Sequence, residues 1–92
     1  MPKYIVYLEP AEDGGLQLRL SDDFRVSSGP NLAVILSPNN SVGPGSMEIA
    51  PLQSLGGAQI YPLPDSIAST DFDWVIIHCV PFNVTFGFAE LR

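Results

Sequence analysis

Along LQLRL, residues 16–20, apolar and polar side chains alternate without a break: Leu16, Leu18 and Leu20 against Gln17 and Arg19. Successive side chains of an extended chain point to opposite faces, so this is the pattern of a strand with one face on a core and one in water. Residues 3–9 supply an apolar partner strand, and Glu12-Asp13-Gly14-Gly15 supplies the hairpin turn between the two. NLAVILS (31–37) and WVIIHC (74–79) are apolar on both faces and read as central strands covered on two sides. FNVTFGF (82–88) returns to alternation, which places Phe82, Val84, Phe86 and Phe88 on one face and Asn83 and Thr85 on the other.

Turn chemistry separates these segments at short intervals: EDGG at 12–15, SSGP at 27–30, SPNN at 37–40, VGPGS at 42–46, LGG at 55–57 and YPLPD at 61–65. No segment keeps apolar residues at helical spacing for long, and DSIAST at 65–70 has room for one helical turn at most. The expected fold is all-β, a small antiparallel sandwich or flattened barrel of seven or eight strands. There is no repeat and no linker, so residues 1–92 form a single domain.

Composition narrows the functions. A hydrophobic fraction of 46% with 15% charged residues excludes a disordered chain. Ten acidic residues against four basic ones give a net charge of −6, with Lys3, Arg19, Arg25 and Arg92 scattered, which disfavours nucleic acid and anionic membranes. No apolar run is long enough to span a membrane, and MPKYIVYLEP has no signal-peptide core; the chain reads as soluble, with a cytoplasmic location allowed. One cysteine excludes an internal disulfide, a Cys-x-x-Cys motif and any multi-cysteine zinc site.

Cys79 and His78 are the only cysteine and histidine, and they are adjacent. A catalytic thiol–imidazole pair needs the two groups within hydrogen-bond reach, whereas the pleat of a strand sends neighbours to opposite faces. Cys79 therefore belongs with Val75 and Ile77, and His78 with Trp74 and Ile76. Taken alone, Cys79 reads as a small buried hydrophobe whose thiol is inert, since no Lys or Arg lies near it in sequence. His78 reads as a histidine that either snorkels at a sheet edge or makes a hydrogen bond inside; without a second ligand it does not specify a metal, although one axial haem ligand needs only one such residue. Glu12-Asp13 and Ser21-Asp22-Asp23 read as solvated turns, and Asp71 and Asp73 as the entry to a strand. They lack the alternating oxygens of a calcium loop, and the glycine clusters lack phosphate-loop spacing.

Three stretches in order, LRLSDDFRVSSGPNLAVILS, LQSLGGAQIYPLP and VIIHCVPFNVTFGFAEL, resemble the electron-transfer DM-thirteen domains found beside DOMON domains in Skeletor-type proteins. The resemblance runs from about residue 16 to residue 91. It implies a β-sandwich-like fold, an extracytoplasmic setting and a role in electron transfer centred on the cysteine of the closing motif, which is Cys79 here. That cysteine acts in the family either as a bare thiol or by holding a prosthetic group such as haem. Phe82, Val84, Phe86 and Gly87 carry the rest of the motif and are expected in the core. Three features depart from the pattern: His78 replaces a tryptophan, Asn31 stands where aspartate is common, and residues 1–15 follow the family only loosely.

The leading expectation is thus a non-enzymatic redox module with Cys79 as its redox residue, His78 as a neighbour and a protein or redox partner left unnamed. The competing expectation is an accessory interaction or small-ligand-binding domain in which the cysteine only packs. Tyr4, Tyr7 and Tyr61 are the aromatic side chains available to a ligand.

Overall fold

In the computed structural model, which describes residues 5–68 and 70–91, the alternating and doubly apolar segments all become strands. These are β1 (Val6–Pro10), β2 (Leu16–Leu20), β3 (Leu32–Ser37), β4 (Met47–Pro51), β5 (Gln59–Pro62), β6 (Trp74–Cys79) and β7 (Val84–Glu90). They form two antiparallel sheets, in the orders β1-β2-β5 and β4-β3-β6-β7. The sheets do not close into a barrel, so the sandwich alternative holds. The region around 65–70 makes a turn, with the Ile67 amide donating to the Pro64 carbonyl, and the described residues contain no helix. Ser69 of that segment lies outside the described residues, as do Lys3 and Tyr4 of the first expected strand.

The β1–β2 hairpin keeps the register that alternation demands, Leu8 opposite Leu18 and Tyr7 opposite Arg19. Leu18 and Leu20 are fully buried, and Leu16 packs against the same core. On the outer side Glu9 accepts from Gln17 Nε2 at 2.7 Å and from Arg19 Nε at 3.1 Å, and the Arg19 guanidinium lies 4.3 Å over the Tyr7 ring. Chiefly the Gln17 bond, and then Arg19, holds the Glu9 carboxyl below its ordinary value. The turn closes with the Ala11 amide donating to the Gly15 carbonyl and Gly14 at φ +91°, a conformation open to glycine without strain.

β3 and β6 are the two central strands of the larger sheet, and their burial on both faces explains their lack of alternation. All six residues of β3 are buried, as are five of the six in β6. Leu32, Val34 and Leu36 join Val75, Ile77 and Cys79 in the core between the sheets, whereas Ala33, Ile35 and Ile76 form a second cluster on the outer face with Val42 and Phe88.

β7 departs from the sequence reading. Ile77 pairs with Gly87 but His78 pairs with Thr85, so Phe86 is an extra residue that shifts the register. A bulge of this kind reverses which face the following side chains take. Phe86 consequently packs into the inter-sheet core while Phe88 packs on the outer cluster, and the expected common face is split. Phe82 precedes the strand and is 69% exposed, and Val84 is 48% exposed, so neither is a core residue.

Candidate functional site

Cys79 ends β6, flanked across the sheet by Leu32 of β3 and Val84 of β7. Its side chain belongs to the inter-sheet core and is 1% exposed. The thiol donates to the Pro30 carbonyl at 3.2 Å, and the next amide, Val80, donates to the Asn31 carbonyl at 3.3 Å. Segment 27–31 therefore covers the sulfur. It is itself fastened by close packing: a Cβ on Gly29 would stand 2.7 Å from the Phe86 ring, so the ring lies directly on the glycine backbone. Asn31 takes φ +51°, a left-handed conformation that asparagine tolerates better than most residues, which suits it to this position.

His78 points the other way, as the pleat requires. It is 6% exposed, and Nε2 lies 2.9 Å from the Asn83 Oδ1. A carbonyl oxygen only accepts, so Nε2 donates this bond, and the ring's other nitrogen is Nδ1. That Nδ1 is buried without a hydrogen-bond partner. Asn83 sits at φ +53° after a turn in which its amide donates to the Val80 carbonyl. The histidine thus ties the tip of the β6–β7 hairpin to the outer face of the sheet. Asn83→Ala is expected to destabilise by about 1–2 kcal/mol, because alanine resists the left-handed conformation and leaves Nε2 unpaired. Asn83→Gly keeps the backbone and loses only the bond, so chemical denaturation should rank it between alanine and wild type.

The two residues that the sequence sets side by side are thus not brought together. No charged residue occurs within 26–47 or 74–89, so nothing on these strands stabilises a thiolate. Among the described residues, no group of three His, Cys, Asp or Glu converges on a metal position. Haem does not fit the site as packed, because the Cys79 sulfur and the His78 Nδ1 are both enclosed and point to opposite faces of the sheet. No helix among the described residues is long and apolar enough to cross a membrane.

The acidic pairs are turns, as expected. Asp13 Oδ1 accepts from the Gly15 amide, and Ser21 Oγ donates to Asp23 Oδ1 where the chain bends to bury Phe24. The tyrosines do not converge. Tyr7 lies under Arg19 outside the smaller sheet, Tyr61 is sealed in the core, and Tyr4 lies outside the described residues. Tyr61 instead explains the Gln-Ile-Tyr-Pro motif: its hydroxyl donates to Gln59 Oε1 at 2.6 Å and accepts from the Gln53 amide at 2.7 Å. Gln59 Nε2 then reaches the Ser54 carbonyl at 2.8 Å, so two side chains hold the whole 53–58 connection. Paired Gln and Tyr two residues apart in a strand were the available signal for this network.

The family model for electron transfer DM13 matches residues 6–91. The chain belongs to the electron transfer DM13 family. The match takes in β1 and its turn, so the N-terminal section belongs to the domain as well. Membership in the DM13 family supports a redox or electron-transfer type of module. Neither the curated proteins nor the solved structures compared with the chain contain a match.

Proposed function

We propose that this DM13 domain is a non-enzymatic redox module whose redox residue is Cys79, made available when segment 27–31 lifts from the end of β6. The observation that supports this is the cover over the sulfur. The thiol is 1% exposed, yet Pro30 and Asn31, whose carbonyls meet the strand end through one thiol bond and one long amide bond, are themselves exposed. Lifting that segment breaks these two bonds and the packing of Gly29 on Phe86 while leaving the rest of the core in place, which is a local rather than a global opening. Once freed and deprotonated, the sulfur attacks a disulfide of a partner protein. An S–S bond forms to Cys79, the partner's S–S bond breaks and its second sulfur leaves as a thiolate; the product is a mixed disulfide, which a thiol of the partner resolves by attack, releasing Cys79 as the thiolate.

The second reading, a structural cysteine in an interaction domain, draws on the same sulfur. Cys79 is part of the core cluster and its one polar contact is satisfied. Reaction of the folded protein with an aromatic disulfide reagent, followed against denaturant concentration, separates the two. A rate independent of low denaturant, with mixed disulfide formed under native conditions, is expected for the redox reading. Reaction only through global unfolding, together with a loss of about 1–3 kcal/mol in Cys79→Ala and nothing else, would establish the structural one. Added haem is expected to give no shifted Soret band in either case.

A further inference from the structure

We propose that Asn39 and Asn83 are acceptor sites for N-linked carbohydrate. The chain has four asparagines, at 31, 39, 40 and 83, and all four are exposed. Two of them open an Asn-x-Ser/Thr triplet, Asn39-Asn40-Ser41 and Asn83-Val84-Thr85, with no proline in the middle. That triplet is the unit recognised in N-glycosylation, which needs a surface loop and a hydroxyl two residues after the asparagine. Asn31 and Asn40 are followed at that spacing by Ala33 and Val42, which have no hydroxyl.

Both triplets lie where a transferase can read them. Asn39 is in the connection from β3 to β4, and Asn83 is at the tip of the β6–β7 hairpin. Because β3 and β6 run antiparallel, the two sites stand at opposite ends of the larger sheet. Ser41 and Thr85 are exposed as well. Each carboxamide is held by its oxygen. Asn39 Oδ1 accepts from the Ser41 amide at 3.1 Å and from Ser41 Oγ at 2.8 Å, and Asn83 Oδ1 accepts from His78 Nε2 at 2.9 Å. Neither Nδ2 donates to any of the described residues.

That free nitrogen is the atom that reacts. It attacks the anomeric carbon of a lipid-pyrophosphate-linked oligosaccharide. The N–C bond forms, the bond from that carbon to the pyrophosphate oxygen breaks, the lipid pyrophosphate leaves, and the nitrogen gives up one of its two protons. The product keeps its carbonyl oxygen and one N–H. A glycan at either site therefore leaves the bonds from Ser41 and His78 in place, and no core side chain has to move.

The full chain, passed through a eukaryotic secretory pathway behind a cleavable signal peptide, tests the proposal by intact mass and gel mobility before and after peptide N-glycosidase. Two glycans are expected on the wild type, one on Ser41→Ala, one on Thr85→Ala and none on the double variant. Thr85→Ser keeps the triplet and should carry both. Peptide mapping after the glycosidase should find aspartate at 39 and 83 and unchanged asparagine at 31 and 40. Ser41 and Thr85 are exposed, so thermal melts should show every variant folded. Fewer than two glycans on the wild type would overturn the proposal. So would either alanine variant that keeps the wild-type count.

Discussion

Gly29→Ala is expected to lower stability by about 1–3 kcal/mol and at the same time to uncover Cys79. The added methyl would lie 2.7 and 2.8 Å from two carbons of the Phe86 ring, closer than carbon atoms approach. Either the ring leaves the inter-sheet core or segment 27–31 lifts, and the Pro30 carbonyl over the thiol lifts with it. Equilibrium denaturation gives the first effect. The rate of thiol modification under native conditions gives the second and should rise well beyond what the stability loss alone accounts for. Phe86→Leu in the same chain makes room for the methyl and should recover part of both. A Gly29→Ala protein with unchanged stability would mean that the ring and the backbone are not in contact.

Tyr61→Phe should cost a further large amount, about 1–3 kcal/mol, for the opposite reason: it removes a group and adds none. The change leaves the Gln53 amide and the Gln59 Oε1 without the partner they share. It also carries a pH signature. Burial raises the Tyr61 hydroxyl above its ordinary 10.0, opposed in part by the hydrogen bond from Gln53. Below about pH 10 the group is neutral in both folded and unfolded chains, and its contribution is constant. Above that value the unfolded chain ionises first, so stability falls as pH rises toward the folded value. The variant lacks this contribution, and the difference between the two proteins should shrink between pH 9 and 11. A constant difference across that range would show that the hydroxyl is not enclosed.

How far the fold could be read ahead depended on whether a segment's constraint was local. Leu16, Leu18 and Leu20 announced their strand and face because period-two alternation is a property of the segment alone. The doubly apolar β3 and β6 were legible for the complementary reason. The split of Phe86 from Phe88 was not, because a bulge depends on the partner strand, and nothing in VTFGF except its glycine hints at one extra residue. The site was legible in one respect, the separation of His78 from Cys79 by the pleat. The cover over the sulfur was not, since it comes from residues 27–31, nearly fifty positions away in the chain. The orphaned nitrogen of His78 likewise arises from a fit between strand and hairpin that residue types alone do not encode.

The single added residue in β7 also determines how perturbations combine. Phe86 and Phe88 are two positions apart, and in a regular strand they would share neighbours and couple strongly. Here one belongs to the inter-sheet core and the other to the cluster of Ala33, Ile35 and Ile76. In a double-mutant cycle their free energies should therefore add to within about 0.5 kcal/mol, as for independent sites. Phe86 and Leu32, distant in sequence but packed in one core, should couple by more than that. A drift in one layer of the sandwich can thus be absorbed without disturbing the other, even though a single strand furnishes both.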